Sequence, residues 1–150
     1  MSPRLLAALF LAAVAATPAR AQRVRDSAYV HIDELARQRA EFRRSHAIGE
    51  FTGNKAPFMS LSALFERHED PVLVALTDCF SDPRPTTVRY AGHALTRGGL
   101  CYLALHNLVY HEDDNVDWAG NYFGQLSRPR LLAAQRAWRQ ALRTRSYSPS

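Results

Sequence analysis

Along most of the chain the apolar residues recur at helical spacing. Over residues 27–47, Ala28, Ile32, Leu35 and Phe42 fall within about 80° of one another at 100° per residue. Glu34, Arg37, Glu41 and Arg44 take the other side. Ser27 or Asp26 can cap this stretch and Gly49 lies just past its end, so it predicts a first helix. Its apolar stripe is thin, which places it at the periphery of the domain. Residues 49–58, with Gly49, Gly53, Asn54 and Pro57, read as a connector, after which Ser60 can cap a short helix carrying Leu61, Leu64 and Phe65. Asp70-Pro71 is a restart signal: Asp caps, and Pro suits the first helical position because its missing N–H would be unpaired there anyway. The helix that follows, Val72 to Phe80, ends at Ser81-Asp82-Pro83.

From Thr86 to Thr96 the period changes. Val88, Tyr90 and Leu95 alternate with polar residues around Ala91-Gly92, the pattern of a short β-hairpin. A two-stranded ribbon is marginal alone and must pack on helices. Thr96 can then cap a helix over Arg97 to Tyr110 that is apolar on nearly every side, interrupted by His106 and Asn107. Such a helix belongs at the centre. Gly98 and Gly99 in its first turn lower helix propensity, which suggests a close backbone contact there. Residues 111–127 read as a loop rich in acids and aromatics. A last helix from about Pro129 to Arg145 puts Leu131, Ala134, Trp138, Ala141 and Leu142 on one face and Arg136, Arg139 and Arg143 on another. The expected fold is mainly α: one helical domain, core about 59–145, with one short β-hairpin between its two central helices.

The stretch at the N-terminus changes the picture. Arg4 precedes twelve uninterrupted apolar residues, Leu5 to Ala16, then Pro18 and Ala19-Arg20-Ala21. Twelve is short of the ~20 residues that span a bilayer, and small residues at 19 and 21 suit signal peptidase. Residues 1–21 therefore read as a signal peptide cleaved before Gln22, the alternative being an uncleaved anchor; cleavage leaves no transmembrane anchor. The chain has 150 residues, 47% hydrophobic and 22% charged, ordinary values for one globular domain. Cleavage takes two arginines and no acid, leaving net charge +3 instead of +5. Residues 128–145 carry six Arg and no acid, whereas residues 47–127 carry five basic and ten acidic side chains. The basic tail and acidic middle can neutralise each other within the fold; the alternative is an anionic partner outside it. Arg outnumbers Lys 18 to 1, which reflects genome composition more than phosphate recognition, and no nucleic-acid partner is expected.

The segment from Asp70 to Trp118 carries a resemblance. Asp82, Pro85 and Thr86 form D-x-x-P-T; Tyr90 and Gly92 mark a ribbon turn; Gly99, Cys101, Ala104 and Leu105 form G-x-C-x-x-A-L. It resembles a segment of exported bacterial proteins of unknown function related to HEAT-type helical repeats. The likeness covers about a third of the chain and implies a HEAT-like helical domain. It implies no activity and no catalytic residues. A solenoid needs about three stacked units, and one helix pair is present, so the likeness implies a single capped unit.

Cys79 ends one expected helix and Cys101 opens the next, so antiparallel packing brings them together. In an oxidising compartment they form a disulfide; the alternatives are two buried free thiols or a catalytic thiol, for which no CxxC is present. Asp113, Asn115 and Asp117 make D-x-N-x-D, the opening of an EF-hand-like calcium loop. Trp118 stands where that loop has Gly and Gly124 where it has a bidentate Glu, so the expected cofactor is none, with calcium as the weaker alternative. Trp118, Tyr122 and Phe123 beside Asn121 either form a sugar-binding shelf or pin the loop to the core. His106 reads as a buried histidine; zinc on His106 and His111 fails on spacing, since helical ligands sit three or four apart. The last helix either packs on its own domain or lies on an anionic membrane surface. No nucleophile elbow, phosphate loop or dinucleotide fingerprint occurs. The chain thus reads as an exported, periplasmic or secreted protein, a non-enzymatic interaction or structural module with an unidentified protein partner in the cell envelope. The alternatives are an envelope-polymer hydrolase or a calcium- or sugar-binding module, using His111, Asp113, Asn115, Asp117, Trp118 and Tyr122.

Overall fold

The computed structural model describes residues 3–110 and 126–147, with side chains from residue 18 onward. The elements in chain order are α1 (Pro3–Ala36), β1 (Glu41–Phe42), a 3-10 turn (Ile48–Glu50), α2 (Ala56–Arg67), α3 (Glu69–Cys79), β2 (Pro85–Tyr90), β3 (His93–Thr96), α4 (Arg97–Tyr110) and α5 (Arg128–Thr144). The molecule is mainly helical with a small three-stranded sheet.

α4 is the central helix, as its all-round apolar sequence requires: every residue from Gly98 to Val109 is buried. Thr96 Oγ1 accepts the Gly99 N–H at 3.0 Å, satisfying one of the donors a helix start leaves over. α3 approaches α4 end to start. Gly98 N–H donates to Asp82 O at 3.0 Å, and a Cβ on Gly98 would lie 2.1 Å from Phe80 O. The close contact expected from the two glycines is therefore real, and Gly98 is the one that makes it. α5 runs antiparallel to α3: Gln135 Nε2 reaches Thr77 O, Asp78 O and Ser81 Oγ, while Arg145 reaches Asp70 at the far end. Gln135 is buried, and its amide adds a donor to the carbonyls at the end of α3.

Two expectations near the N-terminus are corrected. The first helix does not extend to residue 47 but ends at Ala36, and it is not peripheral. Ala28, Ile32 and Leu35 are buried against α2 and α3, and Tyr29 Oη donates to Ala75 O at 2.9 Å. A thin stripe suffices because the neighbouring helices close over it, so the core starts at Val24 rather than at residue 59. The chain after α1 turns extended. Phe42, placed by periodicity on a helix face, is still buried, but in a strand. That strand adds a third member to the expected hairpin: β1 pairs parallel with β2 (Glu41↔Arg89, Phe42↔Tyr90), and β2 pairs antiparallel with β3. The Phe42 ring meets Phe51 at 5.1 Å and Tyr90 at 6.4 Å. α2 also begins four residues before Ser60, because Asn54 Oδ1 accepts the Ala56 N–H and Pro57 presets the first turn.

The hairpin turn falls at Ala91-Gly92, with φ of 51° and 78°. Two successive positive φ values match the right-handed twist of the flanking strands. Phe42, Val88, Tyr90 and Leu95 face the helices, and Glu41, Thr87, Arg89 and Ala94 face outward.

Candidate functional site

The outward face of the sheet carries a concave surface. An open groove of about 520 Å³ is lined by Arg39, Glu41 and Arg89, with Thr52, Thr86 and Thr87 along its wall and Ala40 and Ala94 in its floor. Its wall is braced from within. Thr87 Oγ1 donates towards Ala36 O and Gln38 O at 3.0 and 2.7 Å, Thr86 Oγ1 donates to Leu95 O at 2.8 Å, and Thr52 Oγ1 accepts the Glu41 N–H at 3.0 Å. Glu41 and Arg89 face each other across β1 and β2 yet form no ion pair; Arg89 Nη2 donates to Gly92 O instead. Arg37, Arg39, Arg43 and Arg44 are all exposed and, among the described residues, none is paired with a carboxylate.

The arginines of α5 are placed differently. Arg139 pairs with Asp78 at 3.0 Å and Arg145 with Asp70 at 2.6 Å, both on α3, so part of the basic tail is neutralised inside the fold. Leu131 and Trp138 on the apolar face of α5 are buried.

Beneath the sheet, Cys79 and Cys101 are joined in a disulfide, with Cα atoms 6.0 Å apart. Arg97 sits beside it. Its Nε meets Asp33 at 2.9 Å, its Nη1 meets Asp82 at 3.2 Å and Cys79 Sγ at 3.5 Å, and the guanidinium lies 5.1 Å from the Tyr29 ring centre. One arginine thus ties α1, the end of α3 and the start of α4 together. Asp82 also takes the Arg84 side chain at 2.7 Å, and that hydrogen bond above all holds its carboxyl down at about 2. Partial burial pushes the other way, and the Arg84 backbone N–H and the Arg84 and Arg97 charges add to the lowering.

At the other end of α4, His106 lies among Tyr102 (4.2 Å between ring centres), Tyr110 (5.2 Å) and Trp138 (6.2 Å). Burial, and then the nearby His46, push its imidazole down to about 3, so it is neutral at ordinary pH. Asn107 next to it holds the 46–48 turn, donating to His46 O at 2.9 Å and accepting the Ile48 N–H at 2.8 Å. A second, apolar groove of about 260 Å³ runs past Tyr110, Trp138 and Tyr147. There Tyr147 Oη donates to Glu69 at 3.0 Å, and burial with that contact raises its hydroxyl to about 12.

Of the residues singled out from sequence, Cys79 and Cys101 are brought together. His111, Asp113, Asn115, Asp117, Trp118 and Tyr122, and with them the calcium loop and the aromatic shelf, lie outside the described residues. Among the described residues no three His, Cys, Asp or Glu side chains gather as metal ligands, and no helix is long and apolar enough to cross a membrane. Sequence reasoning passed over the tract 37–44, with four arginines in eight residues, because it was absorbed into the polar face of an expected helix. Compared with protein-family models, curated proteins and solved structures, the chain finds no match.

Proposed function

We propose that the chain is an exported, disulfide-stapled interaction module of the cell envelope that binds rather than transforms its partner. The observation that carries this reading is the groove on the outer sheet face. It is open, and it is lined by charged side chains that have no ion-pair partner among the described residues. The imidazole of lowered pKa, His106, is sunk in the core away from it. Export is supported by the buried disulfide, a bond suited to an oxidising compartment.

The test is expression of the full chain in a bacterium, with recovery from the periplasm or medium. The recovered protein should begin at Gln22 and show no free thiol in denaturant. An intact Met1, or two titratable thiols, would refute export with a disulfide. Incubated with isolated envelope polymers, the recovered protein should release no soluble fragments; steady release would overturn the binding reading in favour of a hydrolase.

A further inference from the structure

We propose that the outer-sheet groove binds a carboxylate-bearing polysaccharide, with Arg39 and Arg89 on its carboxylates and Glu41 accepting hydrogen bonds from its hydroxyls. The proposal deepens the reading above by naming the partner's chemistry. Three features of the groove carry it. Its positive side chains are guanidiniums, whose planar fork matches a carboxylate two bonds at a time, and among the described residues neither Arg39 nor Arg89 has an acid as partner. The exposed arginines at 37, 43 and 44 extend the same charge beyond the groove. Second, Glu41 lies among these arginines, and among the described residues its carboxylate is in no ion pair. A carboxylate there is a poor neighbour for a dense phosphate surface but a good acceptor for hydroxyl groups. Third, the apolar lining consists of Ala40 and Ala94, which offer no pocket for the large side chains that anchor peptides and proteins. A concave, open floor suits a chain laid along it better than a flat lipid surface. The threonine hydroxyls are engaged with backbone groups, so the wall is set before a ligand arrives and the three charged groups do the recognising.

The test is calorimetric titration of the disulfide-bonded protein, as recovered after expression of the full chain, with oligo-alginate, a soluble uronate polymer. Neutral dextran and phosphatidylglycerol vesicles serve as comparators. Alginate should bind, and dextran and vesicles should not. Arg39→Gln and Arg89→Gln should each weaken binding by about tenfold or more, the scale of a charge-assisted hydrogen bond. Glu41→Gln decides between recognition and bulk attraction. Removing a negative charge tightens any non-specific polyanion contact, whereas exchanging one carboxylate oxygen for an amide NH2 that cannot accept, and the other for a weaker uncharged acceptor, weakens a specific one, here by roughly fivefold. Arg136→Gln on α5, exposed and away from the groove, should leave the affinity unchanged. All four side chains are exposed, and melting curves separate a binding defect from a folding one; Arg39→Gln, Glu41→Gln and Arg136→Gln should match the parent, while Arg89→Gln gives up its hydrogen bond to Gly92 O and is titrated well below its own melting temperature. Tighter binding by Glu41→Gln, vesicle binding equal to alginate binding, or no alginate binding would overturn the proposal. None of these outcomes bears on whether the chain is processed and exported.

Discussion

Gly98→Ala is the sharpest test of how α3 and α4 are joined. A Cβ at this position would lie 2.1 Å from Phe80 O, 2.7 Å from Phe80 C and 3.0 Å from Asp82 O, all backbone atoms. No rotamer change can relieve the overlap, so one helix end must retreat by more than about 1 Å from van der Waals geometry alone. The retreat is opposed by the Cys79–Cys101 bond, by Gly98 N–H to Asp82 O at 3.0 Å and by Arg97 N–H to Arg84 O at 2.8 Å. Overpacking costs about 1–3 kcal/mol and a weakened backbone hydrogen bond about 1 more, against up to ~1 kcal/mol regained in helix propensity. The net expectation is a loss of about 2–3 kcal/mol, or roughly 8–12 °C in melting temperature for a chain of this size. Thermal unfolding followed by far-ultraviolet circular dichroism measures it. Gly49→Ala is the control: nothing lies within 4 Å of its added Cβ, and the change should be neutral or stabilising by up to ~1 kcal/mol. If the two variants melt together, the tight junction described here is wrong. Replacing both cysteines by Ala should shrink the Gly98→Ala penalty, because the helix ends can then part.

Three further outcomes follow from the same geometry. Reduction of the disulfide, or its replacement by two alanines, opens a loop of sequence separation 22 and should cost about 3 kcal/mol in the chain-entropy account, read as a lower melting temperature with reductant. His106 lies near 3 in the folded chain against an ordinary 6.5, so the unfolded chain takes up a proton that the folded one refuses. Stability should therefore fall as pH drops through 6.5 towards 3, by about 2 kcal/mol at roughly pH 5, and His106→Gln should flatten the slope in urea titrations across that range. Ala91 holds a φ of 51° that Asn or Gly adopts more readily; Ala91→Asn should raise stability by up to ~1 kcal/mol, and a lower melting temperature would contradict the turn geometry.

Strong local signals were readable from sequence alone. The run from Leu100 to Val109 demands burial on every side, and the structure buries it. Ala91-Gly92 and Thr96 lie at a turn and a helix start with few competing readings, whereas Asp70 is not the cap expected of it: α3 begins one residue earlier, at Glu69, and takes Asp70-Pro71 into its first turn. The Cys79–Cys101 pair followed from a helix end, a hairpin and a helix start. Residues 37–47 were misread because Arg37, Glu41 and Arg44 keep a helical polar spacing, while what governs this stretch is distant. Backbone pairing of Glu41 and Phe42 with Arg89 and Tyr90, and the Phe42–Phe51–Tyr90 ring cluster, have no trace in local periodicity. The role of Arg97, reaching Asp33 across 64 positions, was hidden for the same reason, as was Gln135 among the carbonyls at the end of α3. The groove was invisible because it is a product of that strand pairing: Arg39 and Arg89 are neighbours only once β1 lies beside β2.

The bond between Cys79 and Cys101 encircles the whole ribbon, whose tip at Ala91, Gly92 and His93 stands exposed. A protease that clipped this tip would sever the peptide chain, yet both fragments would stay tethered through sulfur, each still holding its share of the buried interior. Nicked molecules would then run with intact ones as one band without reductant and separate into two fragments with it, so a single cut at the tip leaves the fold joined.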